Sequence, residues 1–148
     1  GGFMSYRMAC DHADRIAGVV SLAGATLSEG EGCSPSEPVT VLQVHGTLDN
    51  TILYSGGAIL GDAYPGAVQT VETWAALNGC DATASETPDA LDLDDDVDGI
   101  DSDVIAFASC EQNAAVELWT IDGGSHGPAV TEEFSASVVD FLLAHPKP

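Results

Sequence analysis

Two short apolar runs set the narrowest limits on what this chain can fold into. "AGVVSLAGA" (residues 17–25) and "VTVLQVHG" (residues 39–46) are rich in small and β-branched residues and contain no Asp, Glu, Lys or Arg. A strand wetted on one face alternates apolar with polar residues, whereas a strand covered on both faces need not. Both runs are therefore read as strands buried on both faces. Such strands belong to a mainly parallel sheet flanked by helices, because parallel neighbours need a long crossover and a helix supplies it.

Helical patterns fall where that layout needs them. Residues 3–16 place Phe3, Met4, Met8 and Ile16 near one face. "AVQTVETWAALN" (67–78) puts Val68, Val71, Trp74 and Ala75 at helical spacing, with Gly79 as the stop. "VELWTIDGG" (116–124) reads as a third strand. Thr131 is placed to cap a last helix, with Glu132 and Glu133 in its first turn and Phe134, Val138, Phe141 and Leu142 inward. "TLSEGEGCSPSEP" and "TLDNTILYSGG" read as loops. The predicted class is α/β, in one unit over residues 1–148. Trp74 and Trp119 are read as core.

Charge and cysteines narrow the function. The chain carries 24 acidic against three basic residues, a net charge of -21. Such a surface repels nucleic acid and anionic membranes. No apolar run approaches the ~20 residues of a membrane span. Four cysteines at wide spacing, none in a Cys-x-x-Cys pair, argue for disulfides in an exported protein rather than a zinc site. Three pairings are possible. Cys10–Cys33 and Cys80–Cys110 are preferred because each closes a local loop, a gain of roughly 3–4 kcal/mol in the chain-entropy account. A secreted or periplasmic location is expected.

In a parallel sheet, chemistry gathers beyond the C-terminal ends of the strands. Asp49 follows the second strand in "VHGTLDN", and His126 follows the third in "IDGGSHGP". A carboxylate there can orient an imidazole, which then serves as general base. His45, at a strand end, is read as a structural hydrogen-bonder, and His12 and His145 as surface residues. The pair lacks a nucleophile. Acid followed by histidine is the order that comes after serine in α/β-hydrolases, where the serine sits in Gly-x-Ser-x-Gly before a helix. This chain opens on Gly1-Gly2 and a helical pattern. The expectation is that Gly-x-Ser-x lies just upstream, and that these residues form the C-terminal part of an α/β-hydrolase fold.

Four segments carry a family resemblance. "GGFMSYRMAC" looks like the stretch after a Gly-x-Ser-x-Gly-Gly elbow, and "AGVVSLAGA" like the strand that follows it. "VLQVHGTLDNTILYSGG" resembles a His-Gly-Thr-x-Asp motif trailed by an aliphatic residue, Tyr and Gly-Gly. "LWTIDGGSHGP" resembles a histidine loop. Over nearly its whole length the chain is similar to the esterase family of polyhydroxybutyrate depolymerases, LpqC-like lipoproteins and feruloyl esterases. The resemblance implies that Asp49 is the catalytic acid and His126 the general base. It implies an ester substrate, on a polyester or a polysaccharide-linked acyl group, and no cofactor. Tyr54, Gly56 and Gly57 become candidate pocket residues. The wider alternative on these residues is a serine peptidase of the same fold.

"DLDDDVDGIDSD" stands apart. Asp94, Asp96, Asp98 and Gly99 reproduce the opening of an EF-hand calcium loop, but its twelfth position is Ile105 instead of Glu. These aspartates are weak metal candidates, and a calcium-binding module without catalysis is the remaining rival. The preferred expectation for the whole acidic stretch is a solvated loop tethered by Cys80 and Cys110.

Overall fold

The structure, a computed structural model, describes residues 1–26, 28 and 32–147. In chain order it contains α1 (Gly2–Asp11), β1 (Gly18–Leu22), β2 (Thr40–Gly46), β3 (Gly56–Ile59), β4 (Asp62–Pro65), α2 (Ala67–Leu77), β5 (Ala84–Leu91), β6 (Ser102–Phe107), β7 (Val116–Ile121) and α3 (Glu132–Ala144). Of the loop expected over 26–38, residues 27 and 29–31 lie outside the described residues.

The main sheet has the order β1-β2-β7-β6-β5. β1, β2 and β7 pair in parallel, while β6 is antiparallel to both β7 and β5. The sheet is mixed but mostly runs one way, since only β6 points backwards. A separate antiparallel pair, β3 with β4, lies between β2 and α2 in chain order.

β2 is buried at all of its residues, which explains its unbroken apolar run. Alternate side chains leave on opposite faces. Val41 packs with Tyr6 of α1 and with Val71 and Trp74 of α2. Leu42 and Val44 pack on the other face with Trp119 and with Phe141 of α3. The sheet is thus sandwiched, with α1 and α2 on one side and α3 on the other. The Thr131 hydroxyl accepts from the Phe134 N–H at 3.0 Å and caps α3. A cap of this kind is worth about 1 kcal/mol.

The acidic stretch departs from the expectation. It is a hairpin, β5 and β6, that extends the main sheet, and only its turn is irregular. β5 is the sheet's edge and exposes both faces, so it has no apolar alternation for a sequence reading to find. An edge also tolerates Pro88 and the register shift between Glu86 and Ala90. The structure joins Cys80 to Cys110 at the base of this hairpin, and Cys10 at the end of α1 to Cys33.

Candidate active site

β2 and β7 are parallel neighbours, so the loops after them leave from one edge of the sheet. Gly46 and Gly124 let those loops touch. A Cβ on Gly46 would lie 2.2 Å from the Gly124 carbonyl oxygen, an approach that only glycine permits. The Leu48 N–H donates to the Gly124 carbonyl at 3.0 Å, and the Thr47 N–H to the Ile121 carbonyl at 2.9 Å. The Thr47 hydroxyl accepts from the Gly123 N–H at 2.8 Å and donates to Asp122 at 3.0 Å.

This staple brings Asp49 and His126 together. His126 Nδ1 lies 2.9 Å from Asp49 Oδ2. The other oxygen, Oδ1, accepts from the N–H groups of Thr51 at 2.8 Å and Ile52 at 2.9 Å, which locks the turn. Asp49 is buried. Burial pushes its carboxyl upward. The hydrogen bond from His126, those from Thr51 and Ile52, and the charge on His126 outweigh it, so the pKa falls below the ordinary carboxylate range. An ionised carboxylate only accepts, so the proton of a neutral His126 ring sits on Nδ1. Nε2 then keeps its lone pair and has no hydrogen-bond partner among the described residues. With its side chain 44% exposed, the imidazole can take a proton from a group arriving at the open edge.

The far side of the histidine loop is held by the acidic turn. Asp94 is buried, and its Oδ1 accepts from the Ala129 N–H at 2.9 Å and the Asp96 N–H at 3.1 Å. The Asp95 N–H donates to the Ala129 carbonyl at 2.7 Å. Asp101, also buried, accepts from the N–H groups of Leu93 and Asp94. The turn therefore positions residues just after His126. Asp96 and Asp98 point outward and exposed. Among the described residues, no group of three or more His, Cys, Asp or Glu side chains is arranged to hold a metal ion.

The other candidate residues fall nearby with different roles. The Tyr54 hydroxyl meets the Thr120 hydroxyl at 2.8 Å, and its ring packs edge-on against His45 with centroids 5.6 Å apart. Tyr54 is thus tied to the sheet and only half-buried. Gly56 and Gly57 open β3, where Gly57 lies against the Tyr64 ring. A cavity of about 270 Å³ is lined by Phe3, Thr26, Ile59, Leu60 and Tyr64 among others. The Tyr64 hydroxyl accepts from the Leu53 N–H at 3.0 Å, so the cavity wall adjoins the turn that holds Asp49.

Sequence reasoning gave no site role to Gln43, and it read His45 as structural only. Both are buried on one face of β2, and His45 Nε2 lies 3.2 Å from Asp49 Oδ2. The available signal was two polar residues, two apart, in an otherwise apolar strand.

No protein-family model matches the chain. Among the proteins it is similar to are several named as feruloyl esterases. It is 28% identical to feruloyl esterase B of Piromyces equi over an alignment 134 positions long that covers 85% of this chain and 23% of that protein. It is 28% identical to feruloyl esterase D of Neurospora crassa over 130 residues, 87% of this chain and 38% of that protein. It is 31% identical to a probable feruloyl esterase C of Aspergillus niger over 88 residues, 60% of this chain and 28% of that protein. The chain spans less than two fifths of the length of each of these relatives.

Proposed function

We propose that this chain is the acid–base half of an exported serine carboxylic ester hydrolase with the α/β-hydrolase fold, acting on feruloyl or related acyl esters. The observation that carries this reading is the 2.9 Å bond between His126 Nδ1 and buried Asp49, with Nε2 open at the edge where the strands end. The similarity to feruloyl esterases supports the ester substrate. Two disulfides fit an extracellular protein.

The nucleophile in this reading is a serine two residues before Gly1. The packing of α1 supports it. A Cβ on Gly2 would lie 2.5 Å from Ser21 Oγ and 2.8 Å from Gly24 Cα, so the start of α1 presses on the chain beyond β1 as a nucleophile elbow does. His126 Nε2 takes the serine proton as Oγ attacks the ester carbonyl. The proton passes to the departing alcohol as the acyl-enzyme forms. Water then attacks the acyl carbonyl, losing a proton to Nε2, which returns it to the serine Oγ as the acyl C–O bond breaks and the acid and free serine are released. Asp49 holds the imidazole in the Nδ1–H tautomer throughout. No metal or cofactor takes part in these steps.

The test is kcat on methyl ferulate and p-nitrophenyl acetate in the protein that includes the upstream segment. His126→Ala should lower it by about 10⁴-fold or more, as removal of a triad base does. Retention of more than about a tenth of the activity would overturn the assignment.

A further inference from the structure

His45 is buried, and the steps above do not use it. Its hydrogen bonds fix where its proton sits. Gln43 Nε2 lies 2.8 Å from the Gly24 carbonyl oxygen and 3.0 Å from His45 Nδ1, while Gln43 Oε1 lies 2.6 Å from the Tyr6 hydroxyl. A carbonyl can only accept, so the Gln43 amide nitrogen faces Gly24. Its second hydrogen then goes to His45 Nδ1, which must be the bare nitrogen. The phenol of Tyr6 fills the remaining acceptor. Burial pushes that phenol far above its ordinary range, so the hydroxyl stays a donor. The ring proton of His45 is left on Nε2, which donates it to the Ile52 carbonyl at 2.8 Å and lies 3.2 Å from Asp49 Oδ2. Any other protonation of His45 would set N–H against N–H at Gln43.

We infer that His45 is a positioning residue for the Asp49–His126 pair: its Nε2–H, fixed through Gln43 by Tyr6 and Gly24, holds the Ile52 carbonyl and with it the Thr51–Ile52 turn that grips Asp49 Oδ1, while its ring backs Oδ2 on the buried side. This rests on the reading of Asp49 and His126 as acid and base. Oδ2 meets His126 at 2.9 Å from the open side and His45 from the buried side, while Oδ1 is held by Thr51 and Ile52. The carboxylate therefore has no free rotation. The relay also starts on α1, whose Gly2 presses on Gly24. The element that would follow the nucleophile and the carboxylate that orients the base thus share one buried strut.

Three measurements decide this. Long-range ¹H–¹⁵N correlation spectra of the labelled protein should place the His45 proton on Nε2, and a proton on Nδ1 would overturn the inference. His45→Phe, with the upstream segment present, should lower kcat about ten- to a hundredfold. KM should stay within about twofold, because His45 does not touch substrate. His45→Gln can present an N–H where Nε2 was and should recover most of that loss. A folded His45→Phe with unchanged kcat, or a loss that His45→Gln does not recover, would reduce His45 to packing. If His45→Phe does not fold, Gln43→Met takes its place: it removes the donor to Nδ1, and should lower kcat and shift the His126 Nδ1–H resonance. An unmoved resonance and rate there would overturn the inference. The outcomes separate from those of the functional reading. Full activity in His126→Ala would sink that reading whatever His45 does. Loss in His126→Ala with no effect at His45 would sink only the present inference.

Discussion

His45 and His126 both meet Oδ2 of Asp49, at 3.2 and 2.9 Å. His45 has a side chain 1% exposed, and both ring nitrogens are occupied by protein partners. His126 is 44% exposed and has one nitrogen tied and the other open. The residue type and the carboxylate are the same, so the difference lies in the surroundings. β2 buries His45 on the face toward α1, while β7 ends at Ile121 and hands His126 to a glycine-flanked loop. A histidine becomes a candidate base by keeping one lone pair out of the network; proximity to an acid does not suffice.

Removing the carboxylate that both histidines face is the strongest way to break that contrast. Asp49→Asn keeps Oδ1 for Thr51 and Ile52 but can turn an amide N–H toward both histidines. That N–H then opposes the Nδ1–H of His126, and the imidazole is pushed toward the wrong tautomer. The expected losses are about 10⁴-fold in kcat and about 1–3 kcal/mol in stability, the cost of an unsatisfied buried polar group. The stability loss has a pH window. The folded pKa of Asp49 is depressed, so its contribution is complete above the unfolded value of about 3.9 and is lost as pH falls through the folded value. Urea titrations should show wild type and Asp49→Asn converging in acid. A constant gap down to pH 2 would show that the carboxylate's charge contributes nothing.

The parallel half of the fold was legible because burial leaves a compositional mark, although β1, read as buried on both faces, is an edge strand in which only Ser21 is fully buried. β1, β2, β7 and the Thr131 cap were all readable, and so were Asp49 and His126, which follow strand ends. The hairpin β5–β6 was not, since an exposed edge strand such as "ASETPDAL" carries neither periodicity nor apolar excess. The clamp on the histidine loop was hidden for the same reason. Asp94 reads as the first position of a calcium-loop opening, and only tertiary contact shows that its oxygen is spent on Ala129. The tautomer of His45 was out of reach because it depends on Tyr6, 39 positions away in the chain, through Gln43.

That clamp gives the next test. If His126 is catalytic because its loop is held as well as open, freeing the loop should cost activity with the triad intact. Asp94→Ala removes the acceptor for the N–H groups of Ala129 and Asp96. It is expected to lower stability by about 1–3 kcal/mol and kcat about tenfold, through misplacement of His126. Methyl ferulate kinetics paired with hydrogen exchange at Ala129 check both. Faster exchange at Ala129 with unchanged kcat would mean that openness alone suffices.

The smallest effect sharpens the contrast from the carboxylate side. Glu117 of β7 is partly buried, and among the described residues it accepts only from the Trp119 indole N–H, at 2.8 Å. Burial dominates and raises its pKa; the Trp119 hydrogen bond and the charge on His145 oppose it, and Asp89 adds to it. Asp49, with three donors and a second histidine beside it, goes the other way. A carboxyl with a raised folded pKa binds its proton more tightly folded than unfolded, so it costs stability as pH rises above the unfolded value of about 4.3. Glu117→Gln keeps an acceptor for Trp119 and removes the charge. It should stabilise the protein near pH 7 by about 0.5 kcal/mol, discounted for partial exposure, or about 1–2 °C in Tm for a chain of this size. The gain should vanish in acid, where the wild-type side chain is already protonated. Melting curves at neutral and acidic pH measure both ends. A destabilised Glu117→Gln at pH 7 would mean that the charge of the carboxylate is needed by Trp119, and that donor count does not decide which way a buried carboxyl shifts in this sheet.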